Sequence, residues 1–569
     1  MVAVAKGRKA VIRIIQQSRK RGYPMKKTIL KFISYFLLLL AGVILNDSIS
    51  SAAEVRVTEQ NFPDDVFRNY ISKEIDKDKN GVLSEAEILQ TTRIVTKSDK
   101  RSEDNIVKNY QGIGYFTELE ELRIEAVVRG EAEDDSGDYI DISLDVSGNP
   151  KLKRFSCVSS RVQMLDLSVC PLLEEISLQT GERPVQDLSK NRNLKKLSIH
   201  SNFSEIILPE TLPMLEVLFW TSSKDVPFPA IDLRASENLT ELGLIGFDFS
   251  NKELNLSGLV HLKSLHFCPW KKEGSVSVNL EGCSTLEKLE IESTDRMNLQ
   301  GCINLRELYL GGQMTEPDMA SLINLEKLQC IGMTGKILDL RNNHHLKSVR
   351  ILNCYYTEIL LSEQASYQEL TVDENNQLAK LDVRNIQVKD MNCNRNPNLR
   401  QLLLAKGKKY DSISARYNRL KDLDLRGVWV DDINCDNNRI KKLLLSKSGK
   451  YKKMSVKNNQ LTKLDLRGIK LNSICADRNR ITKLFLSKSG KYGELLLAYN
   501  RLKKLDLRGI KVKVMDCKCN KLHSLKVRGN KVLKELYCQK NQLKTLDMRK
   551  CRKLKILQSA GNKKLKRKR

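Results

Sequence analysis

Aromatic residues, glycine and proline are scarce in this sequence. Only 6% of its 569 residues are Phe, Trp or Tyr, and it contains 29 glycines and 12 prolines. This composition excludes a collagen-like chain and a disordered chain rich in proline and glycine. A single globular core is excluded by length, because such cores stop growing at about 250 to 300 residues. The chain therefore has several domains or a repeat architecture.

Motifs of common catalytic sites are also absent. The six histidines form no H-E-x-x-H sequence, there is no G-x-S-x-G, and no Gly-Lys pair is followed by Ser or Thr. These patterns would mark a metalloprotease, a serine hydrolase and a phosphate-binding loop, respectively. We therefore predict that the protein is not an enzyme.

Acidic residues are absent from the N-terminal end of the chain and scarce in its C-terminal third. Residues 1 to 31 contain ten basic and no acidic residues, and residues 401 to 569 contain 48 Lys and Arg against 13 Asp and Glu, a net of +35. The segment between them, residues 32 to 400, has a net charge of −16. The sequence thus predicts a charge dipole, with a strongly basic C-terminal third.

One long apolar run is present, from Phe32 to Leu45. It follows the basic start Met25-Lys-Lys and precedes Ser51-Ala-Ala53, the pattern of a secretory signal peptide, so we expect Glu54 to be the first mature residue. As a helix the run spans about 21 Å, short of the roughly 30 Å membrane core, although an uncleaved signal anchor is the alternative. We interpret Met25 as the true start and residues 1 to 24 as an over-extended gene start. The predicted location is secreted or cell-surface.

A twelve-residue loop from Asp76 to Glu87 places oxygen ligands at calcium-binding spacing. Side-chain oxygens are needed at positions 1, 3, 5 and 9, a carbonyl at position 7, a bidentate carboxylate at position 12, and a glycine at position 6. The residues in the ligand positions are Asp76, Asp78, Asn80, Val82, Ser84 and Glu87. This loop resembles that of the EF-hand family, which implies Ca²⁺ as a cofactor. The alternative is a charged helix-turn-helix that binds no metal.

Apolar residues on both sides of this loop fall on helical faces, so residues 54 to 105 are predicted to form a small helical module. The sequence has a single such loop, whose apolar face must pack elsewhere. The segment after it, from Gly112, begins the repeats. We therefore expect the module to cap the repeat array, whose end would otherwise expose apolar surface.

From Leu119 a unit L-x-x-L-x-(L/C)-x-x-N-x-L recurs about 21 times within residues 106 to 562, at intervals that are mostly 20 to 24 residues. Its first anchors lie at Leu119, Leu152, Leu173, Leu194, Leu215, Leu239, Leu262, Leu286, Leu305, Leu325, Leu346, Tyr367, Val388, Tyr410, Val430, Tyr451, Leu471, Tyr492, Val512, Leu533 and Leu554. The unit resembles the leucine-rich repeat family, in particular secreted and surface proteins of bacteria. The predicted fold is an α/β leucine-rich-repeat solenoid, with one short parallel strand per unit on the concave face.

Asparagine and cysteine recur in phase with this repeat. We predict that the asparagine at the ninth place bonds backbone groups left open by the turn. Its copies in the later units are Asn418, Asn438, Asn459, Asn479, Asn500, Asn520 and Asn541. Ten of the 14 cysteines occupy two repeat places otherwise held by apolar or small residues. We therefore interpret them as buried packing residues, although disulfides are a common alternative in secreted chains.

Basic residues accumulate at one repeat place in the late units. Earlier units carry Ser147, Ser168 or Glu281 at this place, whereas the late units carry Arg426, Arg467, Arg508, Arg528 and Arg549. The sequence ends in a basic tail, residues 563 to 569, containing Lys563, Lys564, Lys566, Arg567, Lys568 and Arg569. Such a concentration of charge attracts polyanions. A solvated charged face is the alternative.

Two functional hypotheses follow. One is a calcium-binding, adhesin-like surface protein, internalin-like in plan, that binds a protein or glycan. The other is a wall-associated spacer whose basic repeats bind anionic envelope polymers. The partner is an unknown macromolecule: a host protein, a glycan or an anionic cell-wall polymer. Nucleic acid is not expected for an exported chain, and the membrane is contacted only through the signal segment if that segment is uncleaved.

Overall fold

The computed structural model describes residues 54–97, 105–125, 140–158, 160–162, 165–179, 183–200, 203–222, 227–229, 231–270, 275–314, 316–447, 449–563 and 565–568. The predicted signal peptide, the proposed start Met25 and the basic residues Lys564 and Arg569 lie outside these ranges.

The N-terminal module consists of short helices around the predicted calcium loop. An α-helix spans Asp65–Tyr70 and continues as a π-helix over Ile71–Ile75, and a second α-helix spans Glu85–Gln90. Two short strands, Val55–Arg56 and Val82–Leu83, pair antiparallel. The last element of the segment predicted as a module, the strand Arg93–Lys97, already belongs to the repeat sheet, where it pairs with Glu121–Glu125.

A single parallel sheet, hereafter the long sheet, runs through the repeats. In the described residues it contains 22 strands, each paired in parallel with its neighbours in chain order. They are Arg93–Lys97, Glu121–Glu125, Arg154–Val158, Glu175–Gln179, Lys196–His200, Val217–Thr221, Glu241–Asp248, Ser264–Trp270, Lys288–Glu292, Glu307–Gly311, Lys327–Ile331, Ser348–Leu352, Ser366–Asp373, Gln387–Asn392, Lys409–Ser414, Trp429–Asn434, Lys450–Ser455, Lys470–Cys475, Lys491–Leu496, Lys511–Asp516, Glu535–Tyr537 and Ile556–Gln558. All but the first correspond one to one with the 21 predicted units.

Many units carry a second strand on the opposite face, which the sequence analysis did not predict. These strands pair in parallel with neighbouring units in small groups, and we call them the short-strand face. They are Ile140–Ile142 with Ser160–Val162; Arg183–Asp187 with Phe203–Ile207; Lys252–Asn255 with Val276–Asn279 and Arg296–Asn298; Ile337–Leu340 with Glu358–Leu361; Lys380–Val383 with Gln401–Leu404; Asp422–Leu425 with Lys442–Leu445; Lys463–Asp465 with Lys483–Phe485; Lys504–Asp506 with Ser524–Lys526; and Thr545–Asp547 with Lys566–Lys568.

Helical structure among the described repeats is limited to three short 3₁₀ turns, Ile113–Tyr115, Leu233–Ala235 and Met319–Ser321. The period-2 pattern of the second half of each unit explains this preference for strands, as in Leu464-Asp465-Leu466, where the two leucines are buried and Asp465 is not. The predicted leucine-rich-repeat fold is confirmed as a parallel β-solenoid with few helices.

The core lies between the two faces and is filled by the anchor residues. Leu533, Leu536 and Cys538 of one late unit, for example, have no exposed surface. The ten in-phase cysteines are all buried, which confirms their interpretation as packing residues. Burial raises the pKa of Cys170 to about 12. Its protonated thiol donates to the carbonyls of Val146 and Asn149, 3.8 and 3.5 Å away.

The repeated asparagines form a buried hydrogen-bond ladder, as predicted. Asn479 Nδ2 donates to the carbonyl of Val456 in the preceding unit at 2.9 Å and to that of Ala476 in its own unit at 3.2 Å. Its Oδ1 accepts from the backbone N–H of Leu461 at 2.9 Å. The amide thus satisfies donor and acceptor groups of two successive turns, and Asn459, Asn500, Asn520 and Asn541 repeat the arrangement.

Candidate functional sites

The predicted calcium loop is held by its flanking elements. Ser84 caps the second helix by a reciprocal pair of hydrogen bonds with Glu87, so the last ligand position lies in the first helical turn. Gly81 adopts a φ of +77°, which a residue with a side chain rarely adopts, and it allows the sharp turn. Leu83, the apolar residue at position 8 of the loop, is fully buried.

The short strand Val82–Leu83 receives its partner from the same module. Val55 and Arg56 pair with Leu83 and Val82, and the N–H of Val57 donates to the carbonyl of Gly81 at 2.9 Å. The backbone of this short strand is therefore paired without a second calcium loop. This arrangement fixes one side of the loop before any metal binds.

The charged ligands of the loop converge. Carboxylate oxygens of Asp76, Asp78 and Glu87 lie within 4.8 Å of one another, and Asp76 is only 2% exposed. Hydrogen bonds hold them: Gly81 N–H donates to Asp76 Oδ2 at 2.9 Å, and Asn80 N–H donates to Asp78 Oδ1 at 3.1 Å. Three carboxylates at this separation repel one another and favour a cation.

The surroundings of Glu87 favour the ionised form of its carboxyl group. Burial alone would raise its pKa, but hydrogen bonds from Ser84 and from the backbone of Lys77 outweigh burial and lower the pKa below its usual value. The donor set is made of oxygens only, from carboxylates, the Asn80 amide, the Ser84 hydroxyl and the Val82 carbonyl, which is the set that calcium prefers. The residues therefore fit Ca²⁺.

The module packs onto the start of the solenoid through aromatic residues. The rings of Phe67 and Tyr110 lie 5.1 Å apart, and Phe62 contacts Tyr115 at 5.9 Å. Asp64, which caps the first helix through Oδ1, accepts through Oδ2 from the N–H groups of Lys108 and Asn109 at 2.8 and 3.0 Å. The loop and the first repeats are thus connected by direct contacts.

The five predicted arginines all lie on one edge of the solenoid, in the turns that lead from the short-strand face to the long sheet. All five are exposed. Four of them form an ion pair with an aspartate two residues earlier, which the sequence analysis missed. In the pair of Asp465 and Arg467, Nε and Nη2 donate to the two carboxylate oxygens at 2.9 and 2.6 Å.

This Asp-x-Arg arrangement is regular. The other late pairs are Asp424 with Arg426, Asp506 with Arg508 and Asp547 with Arg549, and the same pair occurs earlier in Asp232 with Arg234, Asp339 with Arg341 and Asp382 with Arg384. Hydrogen bonds from the arginine lower the pKa of Asp465, and those same bonds raise the pKa of Arg467, so both remain charged at neutral pH. Each pair therefore adds no net charge to the edge. The sequence carries a signal for these pairs, the D-L-R-G that begins at Asp424, Asp465 and Asp506.

Lysines occupy the same edge in the intervening units. Lys447 lies next to Gly468, whose φ is +76° and whose missing Cβ would lie 2.5 Å from the carbonyl oxygen of Lys447. Lys488 lies next to Gly509, where a Cβ would be 3.3 Å from the carbonyl oxygen of Lys488. The next position along the edge is the first residue of each long-sheet strand. There Lys450 pairs in register with Lys470, and Lys491 with Lys511.

We call these residues together the basic edge: Arg426, Arg467, Arg508, Arg528, Arg549, Lys447, Lys450, Lys470, Lys488, Lys491 and Lys511. All of them are exposed. Within the part of the chain that the structure describes, these six lysines form no ion pair. Of the predicted basic tail, Lys566, Arg567 and Lys568 form an exposed strand that pairs with Thr545–Asp547, and Lys563 is exposed before it.

An aromatic patch lies on the outward side of the long sheet, around Phe219. Phe219 lies across Gly243 of the next strand, where a Cβ would come within 2.3 Å of the Phe219 ring. His200 and His266 flank the ring at 5.2 and 6.5 Å between centroids. Burial lowers the pKa of His200, which keeps this ring neutral at neutral pH. We call these four residues the Phe219 patch; no sequence motif indicated it.

No helix in the described ranges is long and apolar enough to span a membrane.

No protein-family model and no curated protein matches this chain. Among solved structures, it is similar to the functional domain of InlJ from Listeria monocytogenes, with 18% identity over 65% of this chain and 77% of that chain and a TM-score of 0.39. YopM from Yersinia enterocolitica gives 15% identity over 84% and 91% of the two chains, with a TM-score of 0.40. The internalin InlF of Listeria monocytogenes gives 16% identity over 54% and 94%, with a TM-score of 0.33.

Proposed function

We propose that this protein is an exported, non-enzymatic leucine-rich-repeat protein that binds a protein or glycan in the manner of an adhesin. The observation that carries the proposal is the long sheet, whose strands lie side by side and present rows of outward side chains over the length of the solenoid. Repeat solenoids use such extended surfaces to contact large partners.

The Phe219 patch is the preferred contact point on this surface. Phe219 is partly exposed, and the neighbouring strand offers only the backbone of Gly243 beneath its ring, so an aromatic face is held in place without a side chain covering it. Binding energy at interfaces concentrates on a few aromatic residues of this kind. The patch also lies in the acidic part of the chain, away from the basic edge.

The experiment is to screen the purified protein against glycan and protein arrays and to measure the affinity of each hit. Phe219→Ala is expected to weaken binding at least tenfold, whereas the matched control Tyr537→Ala, also on the outward side of the long sheet, is expected to leave affinity unchanged. Equal affinity of the Phe219→Ala and native proteins for every hit would contradict this assignment.

Calcium binding is part of the proposal and depends on the converging carboxylates of Asp76, Asp78 and Glu87. Export depends on the signal-like segment before Glu54, and sequencing the N-terminus of the protein from culture tests it. A mature chain that begins at Glu54 supports secretion. An intact Met25 would instead indicate that the apolar segment stays as an anchor.

A second candidate function is attachment to anionic envelope polymers, and the basic edge is the observation that favours it. Surface charge interactions are screened at about 8 Å in physiological salt, so such attachment weakens as salt rises. Washing intact cells at increasing salt should release the protein. A variant in which Lys450, Lys470, Lys491 and Lys511 are alanine should be released at lower salt. Retention of both at molar salt would contradict electrostatic attachment.

A further inference from the structure

Resting on the second candidate function, we propose that the lysines of the basic edge, and not its paired arginines, bind a linear anionic polysaccharide, while the aspartates of the Asp-x-Arg pairs balance the charge of those arginines. The inference concerns the chemical class of the ligand and the residues that select it. It rests on three observations: the ion pairs, the spacing of the lysines and an exposed tryptophan in the lysine row.

The ion pairs remove most of the arginines from recognition. An arginine binds sulfate or phosphate best when two N–H groups of its planar fork face the anion. In Arg467 the Nε and Nη2 groups already donate to Asp465, and Arg426, Arg508 and Arg549 use the same two groups. An anion at these positions would also meet a carboxylate. The arginine row therefore organises the turns and offers little net attraction.

Unlike the paired arginines, the lysines of the basic edge form no ion pair within the described residues. The four lysines that begin successive strands, Lys450, Lys470, Lys491 and Lys511, are separated by about 4.8 Å per strand, well inside the Debye length of about 8 Å. Like charges at this spacing repel one another, and within the described residues none is neutralised by a carboxylate. A polymer with a negative charge on each unit relieves this repulsion along the whole row.

Trp429 favours a polysaccharide over other polyanions. It occupies the same place in its unit as these lysines, in register with Lys409, and its side chain is 59% exposed. A sugar ring has an apolar face that stacks on an indole, whereas inorganic polyphosphate has none. Lysine ammonium groups are compact point charges that bind sulfate or carboxylate without requiring a fixed geometry. A charged row that ends at an aromatic platform fits an anionic glycan strand.

The test measures the anisotropy of fluorescein-labelled dextran sulfate with the purified full-length protein at physiological salt. Changing the four row lysines to alanine is expected to weaken binding about 10- to 30-fold. A matched control changes four exposed lysines of the acidic part, Lys190, Lys252, Lys263 and Lys336, to alanine, and is expected to change affinity less than twofold.

The decisive variant changes Asp424, Asp465, Asp506 and Asp547 to asparagine. If the pairs neutralise the arginines, this variant binds dextran sulfate about tenfold more tightly, because four positive charges become available. If the paired aspartates do not hold the arginines back from the polymer, this variant binds no more tightly than the native protein, and the inference is wrong although polyanion binding stands. Circular dichroism confirms that each variant retains its fold.

Selectivity is tested with polyphosphate of matched charge as competitor. The native protein is expected to prefer dextran sulfate, and Trp429→Ala is expected to abolish that preference while Trp429→Phe retains it. Equal competition by polyphosphate with the native protein would overturn the glycan assignment. Absence of binding to either polymer would overturn the second candidate function itself.

Discussion

Replacing one rung of the asparagine ladder should destabilise the solenoid strongly. In Asn479→Ala the buried N–H of Leu461 loses its acceptor, 2.9 Å away, whereas the carbonyl of Val456 loses one donor at 2.9 Å and keeps Asn459 Nδ2 at 3.1 Å. An unsatisfied buried group costs about 1 to 3 kcal/mol, so the N–H of Leu461 alone is expected to lower the unfolding free energy by about 1 to 3 kcal/mol. The effect arises because one side chain bonds two successive turns.

Urea unfolding followed by circular dichroism measures this cost, with a shared m-value for native and variant proteins. Asn472→Ala is the matched control, because Asn472 is exposed in the same unit, and it should change the unfolding free energy by less than about 0.5 kcal/mol. If Asn479→Ala were no more destabilising than Asn472→Ala, the ladder would not support the fold as described.

Three further predictions concern the loop, a partly buried carboxylate and a turn glycine. Calcium should raise the melting temperature, and isothermal titration calorimetry should show binding at millimolar calcium that Glu87→Gln weakens. Burial raises the pKa of Asp477, so its ionisation destabilises the folded protein as pH rises above the pKa of this carboxyl group in the unfolded chain. The variant Asp477→Asn keeps an acceptor for the N–H of Ala498 and carries no charge. It should raise the melting temperature at pH 8 but not at pH 3. Gly468→Ala should lower the unfolding free energy more than Gly407→Ala. Both glycines have a positive φ, but only a Cβ at position 468 would meet a backbone oxygen, 2.5 Å away. Equal unfolding free energies of the two variants would refute the contact.

The loop residues could be placed from the sequence because calcium ligation imposes a fixed spacing within twelve residues. Asp76, Asp78 and Glu87 converge as that spacing requires. The strand that pairs with the loop could not be placed in this way. Val55 and Arg56 are separated from Val82 by the first helix, and a two-residue strand has no periodicity of its own.

The Phe219 patch could not be predicted from the sequence either. Phe219, Gly243 and His266 follow one another at intervals of 24 and 23 residues, and only the parallel register places them next to one another. The Asp-x-Arg pairs lie only two residues apart and could have been recognised. A strand places residues i and i+2 on one side, which brings the carboxylate to the guanidinium.

The sequence by itself determined the solenoid, the number of units and the roles of the asparagines and cysteines. A period of about 20 residues repeats the same local burial requirement many times, so the pattern is strong even where single positions vary. The tertiary structure decided what the surface presents. The alternation of arginine pairs and free lysines along one edge depends on which turns stack on which, and that follows from the register between units rather than from any one unit.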